Sequence, residues 1–236
     1  MATELIIALD YDKAEDAIRL VDLLGDKVSW YKVGLELFLN SRGSVVDALK
    51  ERNKKVFLDL KFHDIGNTCA AACRWAAKLG VDLINVHALG GYDMMKRAQE
   101  AVQEAANACK KAVPKLIAVT ILTSFDDNAL KGIGVAKQID DEVLSLTKLA
   151  LTAGLSGVVC SPKEVKMLKT SIEESFITVC PGVRPSWAAS NDQSRIMTPR
   201  DAKENGVDYI VVGRPITKHE DPKEALLLIL EELRDE

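Results

Sequence analysis

The sequence has no apolar run long enough to cross a bilayer, so it contains no candidate membrane helix. It also has no excess of positive charge. Its 31 Lys and Arg face 35 Asp and Glu, giving a formal net charge of −4, and bulk charge makes no case for a nucleic-acid binder. The opening stretch, MATELIIALD, lacks a basic region and a cleavage-like site, so it reads as a first strand and not as a signal peptide. There is no paired cysteine framework. Cys69, Cys73, Cys109, Cys160 and Cys180 are odd in number and match no zinc or redox spacing. Cys69 and Cys73 share a helix face, but no His or Cys pair follows at ligand spacing, and packing is the better reading. A reducing cytoplasm is the expected location. No Pro/Ser-rich linker or low-complexity tract divides the chain, which predicts one domain over residues 1–236.

Two textures alternate along the chain. Short β-branched runs occur at 5–10, 29–34, 56–61, 82–87, 116–122, 156–160, 176–180 and 208–213. Stretches of helical spacing lie between them, such as AEDAIRLVDLLG, where Ile18, Val21 and Leu24 recur and Gly25 supplies a stop. The last is PKEALLLILEEL, with Pro222 suited to a first helical turn. Near-continuous apolar strands separated by helices predict a parallel sheet covered on both faces. Eight such units in this length predict an α/β fold, a (β/α)8 TIM barrel with little room for insertions. A doubly wound open sheet is the runner-up, weakened because no GxGxxG follows the first strand.

In a barrel of this kind chemistry sits at the C-terminal strand ends. Those ends carry Asp10, Lys32, Asp59 and Lys61, then Asp64, His87 and Thr123, whereas the strand starts read as bland. The stretch VFLDLKFHDIGNT is the densest case, because a buried unpaired charge is costly. Asp59 and Lys61 are two apart and share a side of the strand, and Lys32 on the neighbouring strand can approach them. Alternating charges Lys32, Asp59, Lys61 and Asp64 would pair one another. A salt-bridge network that only caps the barrel competes with a catalytic site for each single charge; the whole set on the catalytic face favours function. The loops after strands seven and eight often bind phosphate in such barrels. Here they hold PGVRPSWAASNDQSRIM, with Arg184 and Gln193, and GRPIT, with Gly213 and Arg214, although GRP alone is equally a surface turn. The length of the first loop suits a closing lid.

These residues carry a family resemblance. DLKFHDIGNT resembles the D-x-K-x-x-D signature of orotidine 5′-monophosphate decarboxylases, and ALD, YKVG, PGVRP, DQSR and VVGRPIT resemble that family's other motifs in order. The similarity spans essentially the whole chain. Gly66 departs from it, where members often carry proline, and loosens the turn without changing a reacting group.

The resemblance implies conversion of orotidine 5′-phosphate to UMP and CO2 with no cofactor and no metal. Lys61 would be the proton donor, Asp59 its partner beside the leaving carboxylate, and Lys32 the group that orients Asp59 and touches ribose. Asp10 would bind ribose, Thr123 and Gln193 would address the pyrimidine and lid, with Gln193 also near the phosphate, and Arg184, Gly213 and Arg214 would hold the phosphate. Ile65 and Pro181 would shelter the departing CO2. Asp64, Ile65 and Thr68 would enter the neighbouring subunit's site, making a homodimer with shared active sites. Related sugar-phosphate enzymes share the signature but bind magnesium and place an acidic residue on strand two. This chain has Lys32 there, and an ammonium cannot ligate magnesium.

Plainer readings stand beside several of these. Thr123 could cap a helix, with Ser124 and Asp126 following, and Arg184 could pair on the surface. His63 and His87 receive no task. Trp30, Trp75 and Trp187 read as packing and loop anchors, because no basic stripe surrounds them. A non-catalytic barrel that binds a phosphate ligand remains the second alternative, beside the magnesium enzymes.

Overall fold

The structure, a computed structural model, describes residues 3–188 and 197–234. Eight strands, β1 (Glu4–Ala8), β2 (Trp30–Gly34), β3 (Lys55–Phe62), β4 (Leu83–His87), β5 (Lys115–Val119), β6 (Gly157–Val159), β7 (Ile177–Pro181) and β8 (Tyr209–Val212), run parallel and close in sequence order. β8 returns to β1 through the register Leu5↔Ile210 and Ile7↔Val212. The open-sheet alternative is thereby excluded.

The period of two in each strand separates two cores. Ile6, Ala8, Phe57 and Val211 fill the barrel, while Ile7, Tyr31, Val33 and Leu58 face the helices. The first helix, Ala14–Leu24, buries Ala17, Leu20, Val21 and Leu24. Ile18 therefore lies at the edge of the buried stripe, and Gly25, at φ 57°, stops the helix as expected. Pro222 begins the last helix, Pro222–Glu232, and the Asp221 carboxylate accepts from the N–H groups of Lys223 and Glu224. The helices Leu35–Asn40, Asp127–Gly132 and Pro199–Glu204 lack a clear apolar period in the sequence. In the first, Leu35 and Leu39 are exposed and only Leu37 is buried.

The strand starts are not bland. Lys55 and Lys115 extend over the rings of Trp30 and Tyr209 at 5.2 and 5.7 Å, and the Trp30 indole N–H donates to Glu4 at 3.0 Å. Cations therefore do flank Trp30, yet the ring itself is buried and serves as packing at the barrel floor. All five cysteines are free thiols. Four of them are buried, including Cys160, just past the end of β6, and Cys180 on β7, and Cys109 is exposed.

Gly66 opens the helix Gly66–Leu79, the position at which proline is favoured elsewhere. A Cβ there would lie 2.7 Å from Arg97 Cδ, the flexible part of a long side chain.

Candidate active site

Among the described residues β3 is the longest strand, and its pairing is irregular. Its pairing with β4 runs Phe57↔Leu83 and Leu58↔Ile84, then resumes only at Phe62↔Val86. Between those registers stand Asp59, Leu60 and Lys61, and Lys61 has φ 50°, which is unusual for a residue other than glycine. The kink lifts the end of the strand and leaves Asp59 and Lys61 aimed into one hollow.

There a chain of alternating charges forms. The Lys61 ammonium lies 2.6 Å from one Asp59 oxygen, and Lys32 lies 3.3 Å from the other. Lys32 also lies 3.1 Å from Asp10, just beyond the end of β1. The Lys32 and Asp59 side chains are only 12% and 11% exposed, so each charge is met by an opposite one where water is scarce. The Asn85 amide adds a donor to Asp59 at 2.7 Å. Burial pushes the Asp59 carboxyl up, but Lys32, Lys61 and the two hydrogen bonds outweigh it and hold the group below its ordinary value. Asp10, Lys32, Gly34, Asp59 and Lys61 line a hollow of about 280 Å³.

A second hollow, of about 430 Å³, brings Arg184 from the loop after β7 beside Arg214, which opens the turn Arg214–Thr217 after β8. Trp187, Lys218 and His219 complete its wall. Gly213 precedes Arg214 and lies against the end of β1. A Cβ on it would stand 3.4 Å from an Asp10 oxygen and 3.4 Å from the Ala8 Cβ, which puts the turn that Arg214 opens beside the Asp10 end of the charge chain. Pro181 ends β7, half-buried, on this same rim. Thr123 is exposed in the loop after β5, and Asp126, not Thr123, caps the helix that follows by accepting from the Ala129 N–H. Gln193 lies outside the described residues.

The expected fourth charge is elsewhere. Among the described residues no ion pair joins Asp64 to Lys61; Asp64 accepts from the Ile65 N–H and is exposed. Asp10 holds the end of the charge chain instead. The cause is geometric: the chain turns outward after Phe62, and Asp64 and Ile65 line a separate hollow of about 630 Å³ with His63, Leu89 and Met94. Thr68 is exposed on the helix that begins there. His87 ends β4 with its ring 5.4 Å from that of His63, and burial, with His63 and Lys61 adding to it, lowers its pKa.

A sequence model of the orotidine 5′-phosphate decarboxylase / HUMPS family matches residues 3–229. The chain belongs to this family. It is 47% identical over 231 residues to orotidine 5′-phosphate decarboxylase of Nostoc sp., covering 98% of this chain and 97% of that protein. With the enzyme of the same name from Dichelobacter nodosus it shares 49% over 226 residues, 96% of each chain. The crystal structure of orotidine 5′-phosphate decarboxylase from Lactobacillus acidophilus superposes with a TM-score of 0.87 at 42% identity, over 99% of this chain and 100% of that one.

Three residues of this family member escaped the sequence reading. Lys218 and His219 follow the GRPIT turn, and only the return of that turn toward Arg184 reveals their place. Asn85 sits inside the apolar run DLINVH, where alternation places it on the Asp59 side of the sheet, and a polar residue in a buried strand was the available signal.

Proposed function

We propose that this chain decarboxylates orotidine 5′-phosphate to UMP and CO2, a step of pyrimidine biosynthesis, using no metal or cofactor and Lys61 as the proton donor. The observation that carries the reading is the chain Asp10–Lys32–Asp59–Lys61 at the C-terminal rim of the barrel, with Lys61 facing a hollow. Breaking the bond between C6 and the carboxylate leaves its electron pair on C6. The pyrimidine ring delocalises that pair poorly, so opposing positive charge must be in place beforehand. Lys61 supplies it and then gives C6 a proton, and water restores the ammonium. Asp59 fixes Lys61 and stands near the departing carboxylate. Lys32 fixes Asp59 in turn and, with Asp10, meets the ribose hydroxyls.

Arg184, Arg214 and the Gly213 backbone hold the phosphate, with Gln193 closing over it and Thr123 addressing the pyrimidine. Their contacts lie far from C6, so phosphate binding can drive closure around the transition state. Pro181 and Ile65 shelter CO2. Asp64, Ile65 and Thr68 reach the site of a second copy of this chain in a cytoplasmic homodimer. The exposure of Ile65 (74%), in one hollow with exposed Leu89, supports such a cover. The chemistry of strand two supports freedom from metal: the Lys32 ammonium stands between the Asp10 and Asp59 carboxylates, where a dication would compete with it.

The test is turnover of orotidine 5′-phosphate, read as loss of its absorbance, by protein treated with EDTA and dialysed. Undiminished decarboxylation is expected. Activity that disappears with the metal and returns with magnesium, or no turnover at all, overturns the reading.

A further inference from the structure

The β3–β4 ladder is broken opposite the residues that carry the charge chain. Leu58 pairs with Ile84 and Phe62 with Val86, so three residues of β3 stand against one of β4. That one residue is Asn85. It is fully buried, and both ends of its amide are engaged. Its oxygen accepts from the Lys61 N–H at 2.8 Å, and its nitrogen donates to Asp59 at 2.7 Å. The first contact replaces the ladder bond that the kink removes from Lys61. The second places a neutral donor on the carboxylate oxygen that also takes the Lys61 ammonium at 2.6 Å.

We infer that Asn85 is a positioning residue of the reaction: one amide locks the left-handed backbone of Lys61 and the carboxylate of Asp59 into a single rigid unit. The inference rests on the proposed decarboxylase reading and deepens it, since it says what holds the proton donor at its angle.

The chemistry of the pair restricts the side chain. It must accept at one end and donate at the other, and it must be short enough for a gap between paired strands. Asparagine meets all three conditions. Alanine leaves a buried N–H without an acceptor and removes a donor from Asp59. Leucine fills the space but does neither. Aspartate keeps the shape and meets Asp59 as a like charge, so the two carboxyls must share a proton. While that proton is present, its O–H restores the donor to Asp59 and its carbonyl still accepts from Lys61. When the proton leaves, the unit springs apart.

That difference separates positioning from space filling. The charged or titratable groups near Asp59 are Lys32 from β2, Asp10 beyond β1, Lys61 on β3 and His87 at the end of β4. All of them remain in the variants, so the comparison with wild type isolates position 85.

For Asn85→Ala, kcat should fall on the order of 10- to 100-fold, the loss expected of a hydrogen bond to a charged group, with UMP affinity nearly unchanged. Asn85→Asp should be active only on the acid side of its pH profile, losing about tenfold per pH unit as the shared proton dissociates, while wild type stays level there. An Asn85→Asp profile parallel to wild type, or Asn85→Ala with wild-type kcat, overturns the inference. If Asn85→Ala does not fold, the isosteric Asn85→Asp decides alone. Titration of the Asp59 carboxyl by 13C NMR gives a readout independent of turnover: its midpoint should rise in Asn85→Ala, and an unmoved midpoint also overturns the inference. Absence of turnover by wild type would instead strike the proposed function, and the NMR comparison would still decide the role of Asn85.

Discussion

Lys61 and Asp59 meet at 2.6 Å across a strand that is kinked between its pairing registers, so the ammonium of one and the carboxylate of the other are held by backbone geometry as well as by charge. Asp59 is the shared acceptor of the site. It receives Lys61 and Asn85 on one oxygen and faces Lys32 with the other.

That sharing makes Asp59 a source of pH-dependent stability. Burial opposes its ionisation, but Lys32, Lys61 and Asn85 prevail, so its folded pKa lies below the unfolded one. The native state then binds fewer protons than the unfolded chain. Its contribution is full above the unfolded value, near ~3.9, and is lost as pH falls through the lower folded value. Urea unfolding should show Asp59→Asn destabilised by about 3 kcal/mol at neutral pH, because two ammoniums lose their buried partner. The difference from wild type should shrink under strongly acid conditions. A difference that grows with acid would contradict the sign.

Arg214 and Arg184 share a hollow, and Gly213, the residue before Arg214, stands against Asp10. Arg214→Ala should raise KM for orotidine 5′-phosphate on the order of 10- to 100-fold, as expected when a charge-assisted contact to phosphate is lost. Inorganic phosphate should inhibit the variant less than wild type in the same assay. Unchanged KM and unchanged phosphate inhibition would place the phosphate elsewhere.

Asp64 stands apart from Lys61 within one chain, which makes subunit mixing informative. Lys61→Ala and Asp64→Ala proteins should each be inactive alone. Random reassortment of their subunits should restore roughly a quarter of wild-type activity, since one site in each hybrid dimer carries neither lesion. No recovery, in a mixture shown to contain hybrids, would argue that each chain completes its own site.

The separation of Asp64 from Lys61 also marks how far the sequence could be read. Eight apolar strands alternating with helices made the barrel legible, because burial on both faces leaves an uninterrupted β-branched signal. Lys32, Asp59 and Lys61 were legible because charges in such strands require partners. Asn85 left a signal as a polar residue in an apolar strand, but its task was hidden, because it exists only where β3 slips against β4 and register shifts leave no period in one strand's sequence. Asp10 was expected as a ribose ligand, yet its contact with Lys32 depends on how closely the ends of β1 and β2 converge. The cations over Trp30 and Tyr209 come from β3 and β5, and they meet rings of β2 and β8 only when the barrel closes.

The central claim is that the Lys61 ammonium opposes and then protonates the charge formed at C6. Its most direct test is turnover of orotidine 5′-phosphate by Lys61→Ala, with UMP binding measured on the same preparation to show an intact site. The account predicts that UMP still binds while kcat falls by at least about a thousandfold, within the range of a lost general acid together with lost electrostatic stabilisation. Turnover near that of wild type would contradict it.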